Sequence, residues 1–126
     1  AAEREVANLF DQPDLTLPET LGILLVDAGG EVLAGRMREG AVAAESDLGP
    51  NMSGARAEAE RVAAHLRLGG WQGMVVESEA ARIAVAPVRA GVIIVVTAPG
   101  TPAGRAARVV DRAREVADRY LSTWDR

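Results

Sequence analysis

Hydrophobic positions along this chain follow two rhythms: a period near 3.6, which predicts helices, and short unbroken apolar runs, which predict covered strands. Val6, Leu9 and Phe10 recur at helical spacing ahead of Gln12-Pro13, so the first twelve residues read as a short amphipathic helix, and Pro13 and Pro18 bracket a loop after it. From Leu21 to Val26 the chain is continuously apolar. It turns at Asp27-Ala28-Gly29-Gly30 and resumes at Val32 and Leu33 before Arg36, the pattern of a hairpin whose first strand is buried on both faces. Met37 to Asn51 is expected to be a loop: Ala41 to Leu48 has room for a helical turn, but Gly49-Pro50 should break it.

A second helix is predicted from Met52 to Leu68, closed by Gly69-Gly70. It carries two apolar stripes. Met52, Ala55, Ala59, Val62, Ala63 and Leu66 form the main one, expected to cover the helix's own sheet, while Ala57, Ala64 and Leu68 lie almost opposite, flanked by Glu60 and Arg61. Three strands in a meander follow: Trp71 to Glu77, Ile83 to Val88 and Val92 to Thr97. The run Ile93-Ile94-Val95-Val96 marks the last of them as central, and Pro87 belongs at a strand end or bulge because it cannot donate to a ladder. Thr101 is placed to cap a third helix with Pro102 at its first position. That helix has a single apolar face of Ala106, Val109, Val110, Ala113, Val116, Ala117, Tyr120 and Leu121.

The predicted class is therefore α+β, a three-layer α/β/α arrangement with a five-stranded antiparallel sheet covered by helices on both faces. Its order is helix, two strands, helix, three strands, helix. A length of 126 residues with 48% apolar and 25% charged content fits a single domain over residues 1–126. No cysteine is present, which removes disulfides, thiol catalysis and thiolate metal sites and makes the cytoplasm the expected compartment. The longest apolar run, Ala90 to Val96, is far below the roughly 20 residues of a membrane-spanning helix, so no membrane insertion is expected. A net charge of -4 argues against nucleic acid as the main partner, since the chain lacks an overall basic footprint.

The hairpin Gly22-Ile23-Leu24-Leu25-Val26-Asp27-Ala28-Gly29-Gly30-Glu31-Val32-Leu33-Ala34, the alanine-rich second helix, and the strands from Val75-Val76-Glu77 through Ala86-Pro87-Val88 to Ile93-Ile94-Val95-Val96 together resemble the roadblock/dynein light chain domain, bacterial small-GTPase regulators included. The resemblance spans almost the whole chain. It implies a homodimer in which second helices and third strands meet to join two sheets, and regulation or scaffolding of a Ras-like small GTPase. On this chain the implied interface falls on Ala57, Arg61, Ala64 and Leu68 of the helix and Trp71, Met74 and Val76 of the strand. Small residues on the back of the second helix support pairing independently, because they let a partner helix approach closely.

Chemical alternatives fare less well. Ala98-Pro99-Gly100-Thr101-Pro102-Ala103-Gly104-Arg105 lies between strand and helix, where a phosphate loop would be, but two prolines remove backbone donors and Arg105 is followed by Ala106 in place of a Lys-Ser or Lys-Thr pair. It reads as a turn and cap. His65, the single histidine, has no cysteine or second histidine to complete a metal site or a nucleophile pair. Glu58 and Glu60 point to different sides of their helix, and Asp111 and Glu115 lie on an exposed face, so both pairs read as solvated charge. Arg105, Arg108, Arg112 and Arg119 line one flank of the third helix, read as a solvated face. No catalytic group, cofactor or metal is thus expected. The other function considered, a profilin-like or PAS-like small-molecule sensor, would need a pocket that an aromatic content of 3% does little to line.

Overall fold

The computed structural model describes residues 6–40 and 43–125. Its strands are β1 (Thr20–Asp27), β2 (Val32–Met37), β3 (Met74–Glu77), β4 (Arg82–Val88) and β5 (Gly91–Thr97), and its long helices are α1 (Glu45–His65) and α2 (Ala103–Ser122), followed by a 3-10 turn at Thr123–Asp125. The strands form one sheet in the order β2-β1-β5-β4-β3, with every neighbouring pair antiparallel. Of the expected N-terminal helix, residues 1–5 lie outside the described residues; Val6 and Ala7 are helical and turns follow.

Unbroken apolar runs became the central strands because both faces of those strands are covered. Along β5, Ile93 and Val95 enter a core with α2, Phe10 and Leu15, while Val92, Ile94 and Val96 enter a second core with Leu48 of α1. β1 alternates in the same way, Ile23 and Leu25 on the α2 side and Leu24 and Val26 on the α1 side. Leu24, Leu25, Ile93 and Ile94 are fully buried, each contributing about 1.5–3 kcal/mol of transfer free energy. Pro87 pairs with Val92 on β5, and on its other side β3 has already ended, because Met74 pairs with Val85. Its missing donor therefore leaves no ladder position empty.

Three helix boundaries differ from expectation, each for a local reason. The helix expected from Met52 begins at Glu45 and runs through Pro50. Gly49 has no Cβ for the proline ring to strike, and a Cβ there would stand 2.3 Å from the Gly30 carbonyl oxygen, so the glycine also lets the helix press on the hairpin turn. Buried Leu48 anchors the extra turn, the Met37 N–H donates to Glu45 Oε1 at 2.8 Å, and the Ser53 hydroxyl donates to the Ala28 carbonyl. The same helix stops before Gly69-Gly70: the Leu68 N–H reaches the Ala63 carbonyl at 2.8 Å and the Arg67 N–H reaches Ala64 at 3.1 Å. This is a Schellman closure whose left-handed position is taken by Arg67 at φ 57°, not by glycine.

At α2, Pro102 is extended (φ -55°, ψ 134°) and its carbonyl accepts from Ala106, which makes it the cap residue and not the first helical one. Thr101, expected to cap, instead donates its hydroxyl to the Ala98 carbonyl at 2.7 Å, closing the turn before the helix.

The arginine flank of α2, expected to be solvated, is partly engaged. Arg105 pairs with Glu19 at 3.1 Å, and Arg112 reaches Asp14, Glu115 and the Gln12 side chain at 2.9, 3.1 and 3.0 Å. These bonds tie the loop after the N-terminal segment to the outside of α2.

Candidate interaction face

Leu48, Met52, Ala55, Ala59, Val62 and Leu66 succeed one another at intervals of four and three, a seam that sits on one side of a helix turning about 100° per residue. Its first half meets the sheet: Leu48 is buried, Met52 packs on the α1-side core, and Ala55 and Ala59 are half-buried. Its second half is left largely uncovered by this chain. Val62 is 41% exposed and Leu66 58% exposed, although both were expected to cover the sheet. The reason is reach, because α1 packs chiefly on β1 and β2, where its first turns are tied to the hairpin.

Beyond the helix the exposed apolar residues continue. Leu68 is exposed, and so are Val75 and Val76 of β3, a four-residue strand at the edge of the sheet. Side chains alternate along a strand. Met74 packs on the α1-side core, so Val76 shares the α1 face, and Val75 faces the α2 side. There a cleft of about 340 Å³ runs between β3, β4 and α2, floored by Val75, Ala84 and Val110 and edged by Arg82 and Arg114.

The residues singled out in the sequence fall into two groups. Ala57, Arg61 and Ala64 are exposed on the back of α1, and Leu68 and Val76 are exposed as well. Trp71 and Met74 are half-buried against the chain's own core, and Trp71 precedes β3, which begins only at Met74. The bare end of the seam, Val62 and Leu66, and the outward Val75 were missed. Periodicity could not reveal them, since the stripe looks the same whether a sheet or a second molecule covers it.

Two ion pairs form along α1. Arg61 bonds Glu58, and that hydrogen bond holds the Glu58 carboxyl below its usual range, while Arg56 lies 3.5 Å from Glu60. His65 is exposed at the last turn. Among the described residues no three His, Cys, Asp or Glu side chains come together as a metal site, and no helix is long and apolar enough to cross a membrane.

A five-stranded antiparallel sheet sandwiched by helices, in this strand order, is the α+β fold of the roadblock class. A model of the Roadblock/LC7 domain matches residues 7–98, and the chain belongs to that family. Among solved structures it is similar to the gliding protein MglB from Thermus thermophilus, at 23% identity over 94% of this chain and 90% of that one, with a TM-score of 0.74. It is similar also to an MglB with a tetrameric arrangement, at 22% identity, 94% and 89% coverage and a TM-score of 0.76. A Roadblock/LC7 domain from Streptomyces avermitilis matches at 15% identity, 95% and 97% coverage and a TM-score of 0.74. A search of curated proteins gave no match.

Proposed function

We propose that this chain is a non-catalytic module that pairs with a second copy of itself, and that the pair regulates or scaffolds a Ras-like small GTPase. One observation carries the pairing: a continuous apolar seam on α1 packs on the chain's own core at Leu48 and Met52 and is exposed at Val62 and Leu66, beside an exposed edge strand. Large apolar side chains exposed along one continuous stretch mark a contact surface more often than a solvated one. Covering Val62, Leu66, Leu68, Val75 and Val76 requires another molecule, and a symmetric partner supplies an equally bare surface. The similar MglB with a tetrameric arrangement supports self-assembly on this fold.

The GTPase reading is what membership of the Roadblock/LC7 family suggests, and a Ras-like partner places the module in the cytoplasm. In this reading the chain contributes surface and holds no cofactor. The test has two limbs. Light scattering during size exclusion should give twice the 13.2 kDa chain mass over a range of concentrations, and a mass of one chain throughout overturns the pairing. A Ras-like GTPase encoded by the same genome, loaded with GDP or with a non-hydrolysable GTP analogue, should bind at least about tenfold tighter in one nucleotide state. Absence of binding in both states overturns that limb alone.

A further inference from the structure

The loop between Pro13 and Pro18 is drawn onto the sheet by Leu15, which is buried, and pinned there by Arg38, whose guanidinium donates to the Leu17 and Pro18 carbonyls at 3.0 and 2.7 Å. Between this loop, the N-terminal segment, the start of β1 and the end of β2 lies a chamber of about 430 Å³, a size that suits a small molecule. Phe10, Leu15 and Ile23 of the α2-side core line it. Thr20 lines it as well. That residue pairs with Thr97, so alternation from Val95 sets both threonines on the α2 face. Thr20 is 5% exposed, its backbone N–H is spent on the Leu17 carbonyl, and its hydroxyl has no hydrogen-bond partner among the described residues. A buried hydroxyl in that state is destabilising until a polar atom meets it.

The charged groups around the chamber are Arg36 and Arg38 against Asp11 and Glu39, so their formal charges cancel and neither a lone anion nor a lone cation is favoured. Arg36 and Asp11 form an ion pair at 2.7 Å, their side chains 57% and 36% exposed, that uses one guanidinium nitrogen and one carboxylate oxygen. The other donors of Arg36 and the second oxygen of Asp11 stay open to a ligand that carries both charges close together. We infer that this chamber binds a free α-amino acid with an apolar side chain. The side chain enters among Phe10, Leu15 and Ile23, the carboxylate meets Arg36, the ammonium meets Asp11, and the Thr20 hydroxyl gains a polar partner from the head group. A peptide terminus carries only one of the two charges beside its end residue, so the pair selects the free amino acid. The site lies apart from the α1 seam and from β3, and it rests on neither the pairing nor the GTPase reading.

Titration of the full, isotope-labelled chain with L-leucine, followed by two-dimensional NMR, tests this. Saturable shifts should gather at the amides of Leu15, Thr20 and Ile23, with a dissociation constant below about 1 mM. Isocaproate, which is leucine without its ammonium, and isoamylamine, which is leucine without its carboxylate, should each bind at least about tenfold more weakly. Thr20→Val keeps the branched shape and removes the hydroxyl, so it should weaken leucine binding about tenfold and leave the unliganded chain at least as stable. Asp11→Asn opens an exposed pair that the fold can spare, and it should abolish the preference for leucine over isocaproate. The absence of a saturable shift with leucine up to about 10 mM overturns the site. Equal binding of either single-charge analogue by the unmodified chain overturns the amino-acid assignment. Shifts confined to α1 or β3, or leucine affinity unchanged in Asp11→Asn or in a folded Thr20→Val, overturn the placement. Should Thr20→Val fail to fold, Asp11→Asn still decides.

Discussion

Replacing Leu66 by alanine tests the bare end of the α1 seam most directly. Full burial of a leucine side chain is worth about 1.5–3 kcal/mol, and Leu66 is 58% exposed in the single chain, so the part a partner can cover corresponds to about 0.9–1.7 kcal/mol. A two-fold contact uses the residue twice, so the pair should lose about 2–3.5 kcal/mol. At about 1.4 kcal/mol per decade, the dissociation constant should rise about thirty- to three-hundredfold. Sedimentation equilibrium over a dilution series reads this constant. Urea unfolding at a concentration where both proteins are monomeric should show midpoints that nearly coincide, because the lone chain already exposes most of Leu66. An unchanged dissociation constant would refute the assignment of this face. So would a large fall in the monomer's own midpoint, which would show Leu66 packed on its own sheet. Ala64→Glu supplies the opposing arm: Ala64 is exposed on the back of α1, so the change should leave fold and pair nearly intact. If Ala64→Glu splits the pair and Leu66→Ala does not, the contact lies on the back stripe.

Two further outcomes concern the fold. Arg67→Gly should stabilise the monomer by about 0.5–1 kcal/mol, because the left-handed conformation costs a side-chain-bearing residue more than the extra unfolded-state freedom costs glycine; urea midpoints decide, and Arg67→Ala should show no such gain. The Glu19 carboxyl is held below its usual range first by a backbone hydrogen bond and then by Arg105. A depressed carboxyl contributes stability above its unfolded pKa and loses it as pH falls through the folded value. Glu19→Gln should therefore lower stability at neutral pH and flatten its fall in the acid range, read from unfolding midpoints between about pH 7 and pH 3; an unchanged acid slope would show the bond to be idle.

The strands were legible because burial on both faces writes itself as unbroken β-branched and leucine runs, and Leu21 to Val26 and Val92 to Val96 carry that signal plainly. Helix ends were not, since they depend on contacts distant in sequence. Pro50 stops a helix on local grounds, yet α1 passes through it because Gly49 relieves the clash with the ring and Leu48 is buried under the hairpin. Gly69-Gly70 looks like a terminator, yet the Schellman bonds close two residues earlier on Arg67. Both errors misplace a boundary while leaving the element in place.

The candidate face was half legible for a deeper reason. A repeating apolar stripe states that a helix is covered along its length and does not state by what. On α1 one stripe serves two masters, the chain's own sheet at Leu48 and Met52 and a proposed second molecule at Val62 and Leu66. The change of partner leaves no mark in the spacing. A reader of the pattern must give the whole front stripe to the core and seek the interface on the back, where the alanines are. What distinguishes the halves is where the sheet stops supporting the helix. That is fixed by the early tether of α1 to the hairpin through Glu45, Gly49 and Ser53. Loosening that tether should alter pairing without touching the interface, because the same rigid helix carries the buried half of the seam and the bare half.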